Sequence, residues 1–264
     1  MSLQIHDEAG VRRIRLVRGR GNALDEATLE ALAVAFAEAG AVPVLLLGRG
    51  RSFCTGLDLA EAAGRDRPAM ARLMEAFHRA LCACFLHPAP VVAALNGHAL
   101  AGGALLALAC DHRRLARGTA RFGIHGVHLG VSYPQAAVEI LRHQLPRRRR
   151  EEILYAGRIL DGGEALSQGL VDALDPPEAL EERALAAMEA LREGGDAAYA
   201  LAKSALRAPA RRRLLPLDEE AQAAWLDQWF RPETRRRVGE ATRSLTGGGG
   251  AKPGTGQEPP SGRV

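Results

Sequence analysis

Apolar residues recur along this chain with two different periods, and the places where the period changes mark out its elements. Leu3 and Ile5 alternate with polar residues, Glu8-Ala9-Gly10 makes a turn, and Val11 to Val17 returns, which predicts a β-hairpin. Asp25 is placed to cap a helix whose Leu29, Leu32 and Phe36 share one face. Val42 to Leu47 is a continuous apolar run ending at Gly48, the pattern of a strand buried on both faces. The Gly- and Arg-rich stretch from Gly48 to Gly56 reads as a loop leading into a helical segment. Pro68 suits the first turn of a further helix with Leu73, Phe77 and Leu81 as its core stripe, and Pro88 and Pro90 end it.

Val91 to Leu95 predicts a second buried strand. Asn96-Gly97 turns it, and Ala101-Gly102-Gly103 opens a helix through Leu105, Leu106 and Leu108. Short strands are expected at Arg113 to Ala116 and Ala120 to Ile124, and Pro134 starts another helix. Strands alternating with helices argue for an α/β layered fold. From Pro177 onward the pattern is only helical, including Leu214 to Ser244. We therefore expect a core over residues 1–199, a helical region over 200–246, and a Gly/Pro-rich, disordered tail over 247–264.

Composition narrows the function classes. The chain has 264 residues, 47% of them hydrophobic, enough for one sizeable aliphatic core. Its net charge of +4 is scattered, and the densest basic run, Arg147 to Arg150, leads directly into Glu151 and Glu152. That is a solvated helix face rather than a nucleic-acid surface, so no nucleic-acid partner is expected. Met1 to Gly10 has no apolar signal region, and no stretch is long and apolar enough to span a membrane. Cys54, Cys82, Cys84 and Cys110 form neither a disulfide framework nor a metal-ligand pattern. A reduced, cytoplasmic protein without a metal is the expectation.

Two glycine turns follow buried strands and lead towards helices: Cys54-Thr55-Gly56-Leu57-Asp58 and Leu100-Ala101-Gly102-Gly103. A helix start offers free N–H groups, and glycine admits another group close to the backbone. Two such starts facing one point would stabilise charge on a carbonyl oxygen.

The segment Arg51-Ser52-Phe53-Cys54-Thr55-Gly56-Leu57-Asp58-Leu59 is similar to the "G-x-AFC-AG-x-DL" segment of one enzyme family. Asn96-Gly97-His98-Ala99-Leu100-Ala101-Gly102-Gly103-Ala104-Leu105 is similar to its "NG-x-A-x-GGG-x-E". Asn22-Ala23-Leu24, Cys110-Asp111, Phe122-Gly123 through Leu129-Gly130, Ala156-Gly157-Arg158 and Glu164-Ala165 through Gly169-Leu170-Val171 follow in order. The chain thus resembles the crotonase (enoyl-CoA hydratase/isomerase) superfamily from about residue 3 to residue 245. The resemblance implies a spiral of ββα units with a helical C-terminal trimerisation region, and assembly as a homotrimer or hexamer. It implies an acyl-CoA or acyl-carrier-protein thioester as substrate, coenzyme A entering as part of that substrate, with no permanently bound cofactor. It places the carbonyl-binding amides on Leu57 and Gly102. It gives the loop with Phe53, Thr55, Leu57, Asp58 and Leu59 a contact with coenzyme A. Lys203 is either a surface lysine or a phosphate contact. Asp58 also reads as the cap of the following helix.

The departures from the family pattern bear on chemistry. Its hydratases use two glutamates, one in "GGG-x-E" and one in "FG-x-x-E"; here those positions hold Leu105 and Gly126. Tyr133 is a replacement candidate, because Leu129-Gly130-Val131-Ser132-Tyr133 resembles the "LGVPY" of methylmalonyl-CoA decarboxylase, which also lacks the usual glutamates. The alternative is a Tyr packed at a helix start with its hydroxyl satisfied locally. His125 and His128, which flank Gly126, are further replacement candidates, because a histidine can serve as a base at neutral pH. If the segment is extended, alternation turns His125 away from the lost glutamate's position. His98 reads as a turn residue and Glu139 as a solvated or ion-paired one.

Two functions remain. One is an acyl-CoA-processing enzyme with a non-standard acid/base set: a decarboxylase, a specialised hydratase or isomerase, or a hydrolase. The other is a non-catalytic thioester-binding protein or partner subunit.

Overall fold

The computed structural model describes residues 2–247. In chain order the elements are β1 (Leu3–Glu8), β2 (Val11–Leu16), α1 (Glu26–Ala39), β3 (Val44–Gly48), β4 (Ser52–Cys54), α2 (Leu59–Gly64) and α3 (Arg67–Phe85). There follow β5 (Val91–Leu95), β6 (His98–Leu100), α4 (Gly102–Ala109), β7 (His112–Ala116), β8 (Phe122–Gly123), α5 (Gln135–Gln144), α6 (Arg147–Ala156) and β9 (Ile159–Leu160). The chain continues through α7 (Gly162–Ser167), β10 (Ala173–Asp175), α8 (Leu180–Arg192), α9 (Asp196–Leu214), α10 (Glu219–Trp229) and α11 (Pro232–Gly247).

The strands form two sheets. One has the order β1-β2-β3-β5-β7-β10, the other β4-β6-β8-β9. Consecutive strands β3/β4, β5/β6 and β7/β8 each send one member to either sheet, and like members pair in parallel. The result is the spiral of ββα turns that the resemblance implied. Alternation in β3 explains its continuous apolar sequence. Val44 and Leu46 face the main core, while Leu45 and Leu47 face a second core closed by Leu180, Ala184 and Met188 of α8. The same split occurs in β5, with Val91, Ala93 and Leu95 on one side and Val92 and Ala94 on the other.

The stretch expected to be a loop contains β4, and β6 follows the Asn96-Gly97 turn. Both are three-residue strands with no readable alternation; they pair with each other, and β6 pairs with β8 on its other side. The expected boundary at residue 200 falls inside α9, a continuous helix from Asp196 to Leu214. The expected tail, 247–264, lies outside the described residues apart from Gly247. Among the described residues no helix is long and apolar enough to cross a membrane, and no group of three His, Cys, Asp or Glu side chains is placed to hold a metal ion.

Candidate active site

Asn22 organises the first glycine turn. Its side chain is fully buried and its Nδ2 donates to the carbonyls of Arg49 (3.0 Å) and Ser52 (2.8 Å), pinning β4. Residues 21–24 then run alongside residues 55–58. Thr55 N–H donates to Gly21 O (3.0 Å), Leu24 N–H to Gly56 O (2.8 Å) and Asp58 N–H to Leu24 O (2.9 Å). Leu24 and Leu57 form a parallel bridge. Amides alternate sides along an extended segment. With Asp58 N–H spent on Leu24, Leu57 N–H points the other way.

That direction leads to the start of α4. A Cβ built on Gly56 would lie 2.8 Å from Gly102 N, and one built on Gly102 would lie 3.3 Å from Gly56 Cα. The two turns are in contact, and any side chain at position 56 would block the Gly102 amide. Gly56 also holds φ +94°, a conformation L residues rarely adopt. As the first residue of α4, Gly102 has no helical acceptor for its N–H. Among the described residues neither Leu57 N–H nor Gly102 N–H has a partner. Ala101, which presents Gly102, holds φ +48° and ψ −120°, a strained turn geometry for a residue with a side chain.

A cavity of about 580 Å³ opens beside these amides. That is within the range of about 300–1,000 Å³ of small-molecule sites. Leu57, Leu59, Met74, Phe77, Leu105, Leu129, Val131, Trp225 and Trp229 give it apolar walls. Arg20, Asp58, His125 and Tyr133 are its titratable lining. Helices α10 and α11 of the same chain contribute Trp225, Trp229, Thr242 and Leu245. Trp225 is held in place by its Nε1–H donating to Ser132 O at 2.8 Å.

The expected site residues divide. Leu57, Gly102, Thr55, Asp58, Leu59, Tyr133 and His125 all line the cavity. Phe53 does not: its side chain is fully buried in the core, so it is a packing residue and not a coenzyme A contact. Lys203 does not either. Its Nζ donates to Asp111 Oδ2 (2.6 Å) and Ala89 O (3.0 Å) inside the protein, with Arg207 also on Asp111 at 2.7 Å. Lys203 is thus neither a surface lysine nor available to a phosphate; it ties α9 to the end of α4. Burial pushes its ammonium below the usual value, with Asp111 opposing.

Asp58 caps α2 through Ala60 N–H (3.1 Å) and Glu61 N–H (3.2 Å) and pairs with Arg18 at 2.7 Å. Burial raises its carboxyl and these partners more than offset that, holding it below the ordinary value. The Tyr133 hydroxyl is taken up by the backbone. It faces Leu154 O (3.0 Å) and Ile124 O (3.3 Å), and burial raises its pKa. This is the locally satisfied tyrosine rather than a free proton donor.

His125 departs from the extended-segment reading. Residues Gly126–Leu129 form a 3₁₀ turn closed by Gly130 in the left-handed region. With alternation broken, His125 and Gly126 both border the cavity. His125 Nδ1 is buried without a partner. Burial lowers its pKa below 6.5, the nearby His128 adds to this, and the Gly123 carbonyl opposes it. His128 bonds Gly157 O at 3.1 Å, and Glu139 is buried in pairs with Arg142 and Arg213 (2.5 Å); neither borders the cavity, nor does His98. The tryptophans were missed from sequence. Their signal is that the chain's two Trp residues stand four apart on α10.

Comparison with known proteins comes to the same fold. Residues 6–241 match the family model described as enoyl-CoA hydratase/isomerase. A Thermus thermophilus protein whose own name, an enoyl-CoA hydratase, is provisional is 34% identical over 187 residues, covering 68% of this chain and 72% of that protein. Human mitochondrial enoyl-CoA delta isomerase 1 is 31% identical over 173 residues, 65% of this chain and 57% of that one, so the match spans little over half of the human protein. The crystal structure of human mitochondrial delta3-delta2-enoyl-CoA isomerase superposes with a TM-score of 0.90 over 95% of this chain and 100% of that chain, at 24% identity, which speaks to fold alone.

Proposed function

The chain belongs to the enoyl-CoA hydratase/isomerase family, and from that premise we propose that it shifts a double bond in an acyl-CoA thioester by enolate chemistry with a single base. In this reading the amides of Leu57 and Gly102 hold the thioester oxygen as it gains charge. His125 removes a proton from the α-carbon and returns it to the γ-carbon, moving the double bond from β,γ to α,β. No other group is consumed.

The observation that carries the reading is the state of the cavity's titratable side chains. Asp58 is spent on a helix cap and Arg18, Tyr133 is spent on backbone carbonyls, and Arg20 is a fixed cation. His125 alone is part-buried, held below the usual imidazole pKa by that burial, and without a partner for Nδ1. Leu105 and Gly126 leave no carboxylate beside it. One base suffices for a 1,3 proton shift, whereas hydration also needs a positioned water. Arg20 is exposed at the cavity, on the segment tied to Thr55, and has no partner among the described residues; this supports a place there for the coenzyme A phosphates. Leu201 and Leu206 of α9 are 74% and 71% exposed, which supports burial against further copies in a homotrimer or hexamer.

The test is turnover of a β,γ-enoyl-CoA by wild type and by His125→Gln, followed by ultraviolet absorption of the conjugated product. Isomerisation lost in the variant is the expected result. Turnover of a malonyl-type thioester instead would make the enzyme a decarboxylase. Binding with no turnover of either class would make it a non-catalytic thioester-binding protein.

A further inference from the structure

We propose that the acyl group taken by this cavity is a flat, unsaturated ring rather than a linear chain; the inference rests on the thioester reading above. The chain is poor in aromatic residues, with 2 Trp, 3 Tyr and 6 Phe. Both tryptophans, Phe77 and Tyr133 nevertheless surround this one cavity. Trp225 and Trp229 are stacked on one another, with centroids 5.5 Å apart and planes 17° from parallel, and both border the cavity. The bond from Trp225 Nε1 to Ser132 O fixes the orientation of that pair. Phe77 stands at the carbonyl end: its ring atoms lie 3.2 and 3.3 Å from where a Cβ on Gly102 would be. Phe77 thus packs beside the glycine that presents the unpaired N–H.

Aliphatic walls would hold any apolar chain by area alone. Rings add a preference for rings, through offset stacking and edge contacts that depend on a planar partner. That preference amounts to roughly three- to tenfold in affinity.

Calorimetric titration with unreactive saturated thioesters tests it. The wild-type protein, Trp225→Leu and Trp225→Phe are each titrated with 3-phenylpropanoyl-CoA, with nonanoyl-CoA of equal carbon count, and with coenzyme A itself. The expected result is roughly three- to tenfold tighter binding of the phenyl thioester by wild type, kept by Trp225→Phe and lost by Trp225→Leu, with coenzyme A affinity constant throughout. The wild-type comparison stands even if the leucine variant fails to fold. Equal binding of the two thioesters, both above coenzyme A, overturns this inference and leaves the thioester reading standing. A phenyl preference that survives in a folded Trp225→Leu protein also overturns it. No gain over coenzyme A for either thioester defeats the thioester reading and this inference with it.

Discussion

Gly56 and Gly102 lie so close that a β-carbon on the first would stand 2.8 Å from the amide nitrogen of the second. Gly56→Ala therefore puts a methyl group onto the Gly102 donor and also meets an unfavourable φ of +94°. Loss of one carbonyl-binding donor typically costs about 10²–10³ in turnover. We expect kcat/KM on a β,γ-enoyl-CoA to fall by at least about 100-fold in whatever fraction of Gly56→Ala folds, judged against its circular dichroism. A folded variant of wild-type activity would show that these two amides do not serve the carbonyl.

His125 should set the acid side of the pH profile. Its pKa is lowered by burial, so the neutral base persists to pH values below the usual 6.5 and is lost as pH falls further. The expected kcat/KM profile is flat from pH 8 to about 6.5 and declines below that. His125→Gln should lower kcat/KM by about 10²–10⁴ and remove the acid limb. An unchanged acid limb in the variant would assign the titration to another group.

Gly126 has room for a side chain, since a Cβ there meets nothing closer than Val131 O at 3.8 Å. Gly126→Glu in the His125→Gln background should restore part of the lost isomerisation, because the carboxylate enters the same cavity. Its apolar walls should raise the carboxyl pKa, so the restored activity should decline at lower pH as the base is protonated. Thioester binding without any recovered turnover would count against the placement of the proton-transfer site beside residue 126.

Tyr133→Phe separates packing from chemistry. The hydroxyl bonds to Leu154 O at 3.0 Å, so its removal should cost about 0.5–1.5 kcal/mol of stability. Turnover should stay within about threefold of wild type, a change of well under 1 kcal/mol. A tenfold fall in kcat with an unchanged urea midpoint would return Tyr133 to the mechanism.

Acid should destabilise the fold early. His78, His87, His98, His112, His125 and His143 are all held below 6.5, chiefly by burial. Above that pH the imidazoles are neutral in both folded and unfolded chains. As pH drops through about 6.5 the unfolded chain takes up protons first, so stability falls until the folded imidazoles protonate as well. The urea midpoint should decline steadily between about pH 7 and pH 5. A constant or rising midpoint over that interval would contradict the burial of these histidines.

Legibility in the sequence followed the range over which each feature is determined. Strands β3 and β5 were readable because five consecutive apolar residues in each reflect two covered faces. Strands β4 and β6 were not, because three residues carry no period and the two pair with each other across more than forty positions. The two glycine turns that meet at Gly56 and Gly102 were readable because glycine stands in each where a buried strand ends. Lys203 was misread because its partner, Asp111, is 92 residues distant. The direction of His125 was not legible, because the 3₁₀ turn at Gly126–Leu129 cancels the alternation of an extended segment. The placement of Phe53 was not legible, because similarity along a loop does not tell which of its side chains faces the core.

Ala101 holds φ +48° although it carries a side chain. A glycine there would reach the same turn without cost and would also wander among several others. The methyl group narrows that freedom to a single shallow basin, so the peptide plane carrying the Gly102 N–H has little room to tilt. The donor is thereby aimed before any ligand arrives, and the conformational entropy that a looser turn would surrender on binding has already been lost on folding.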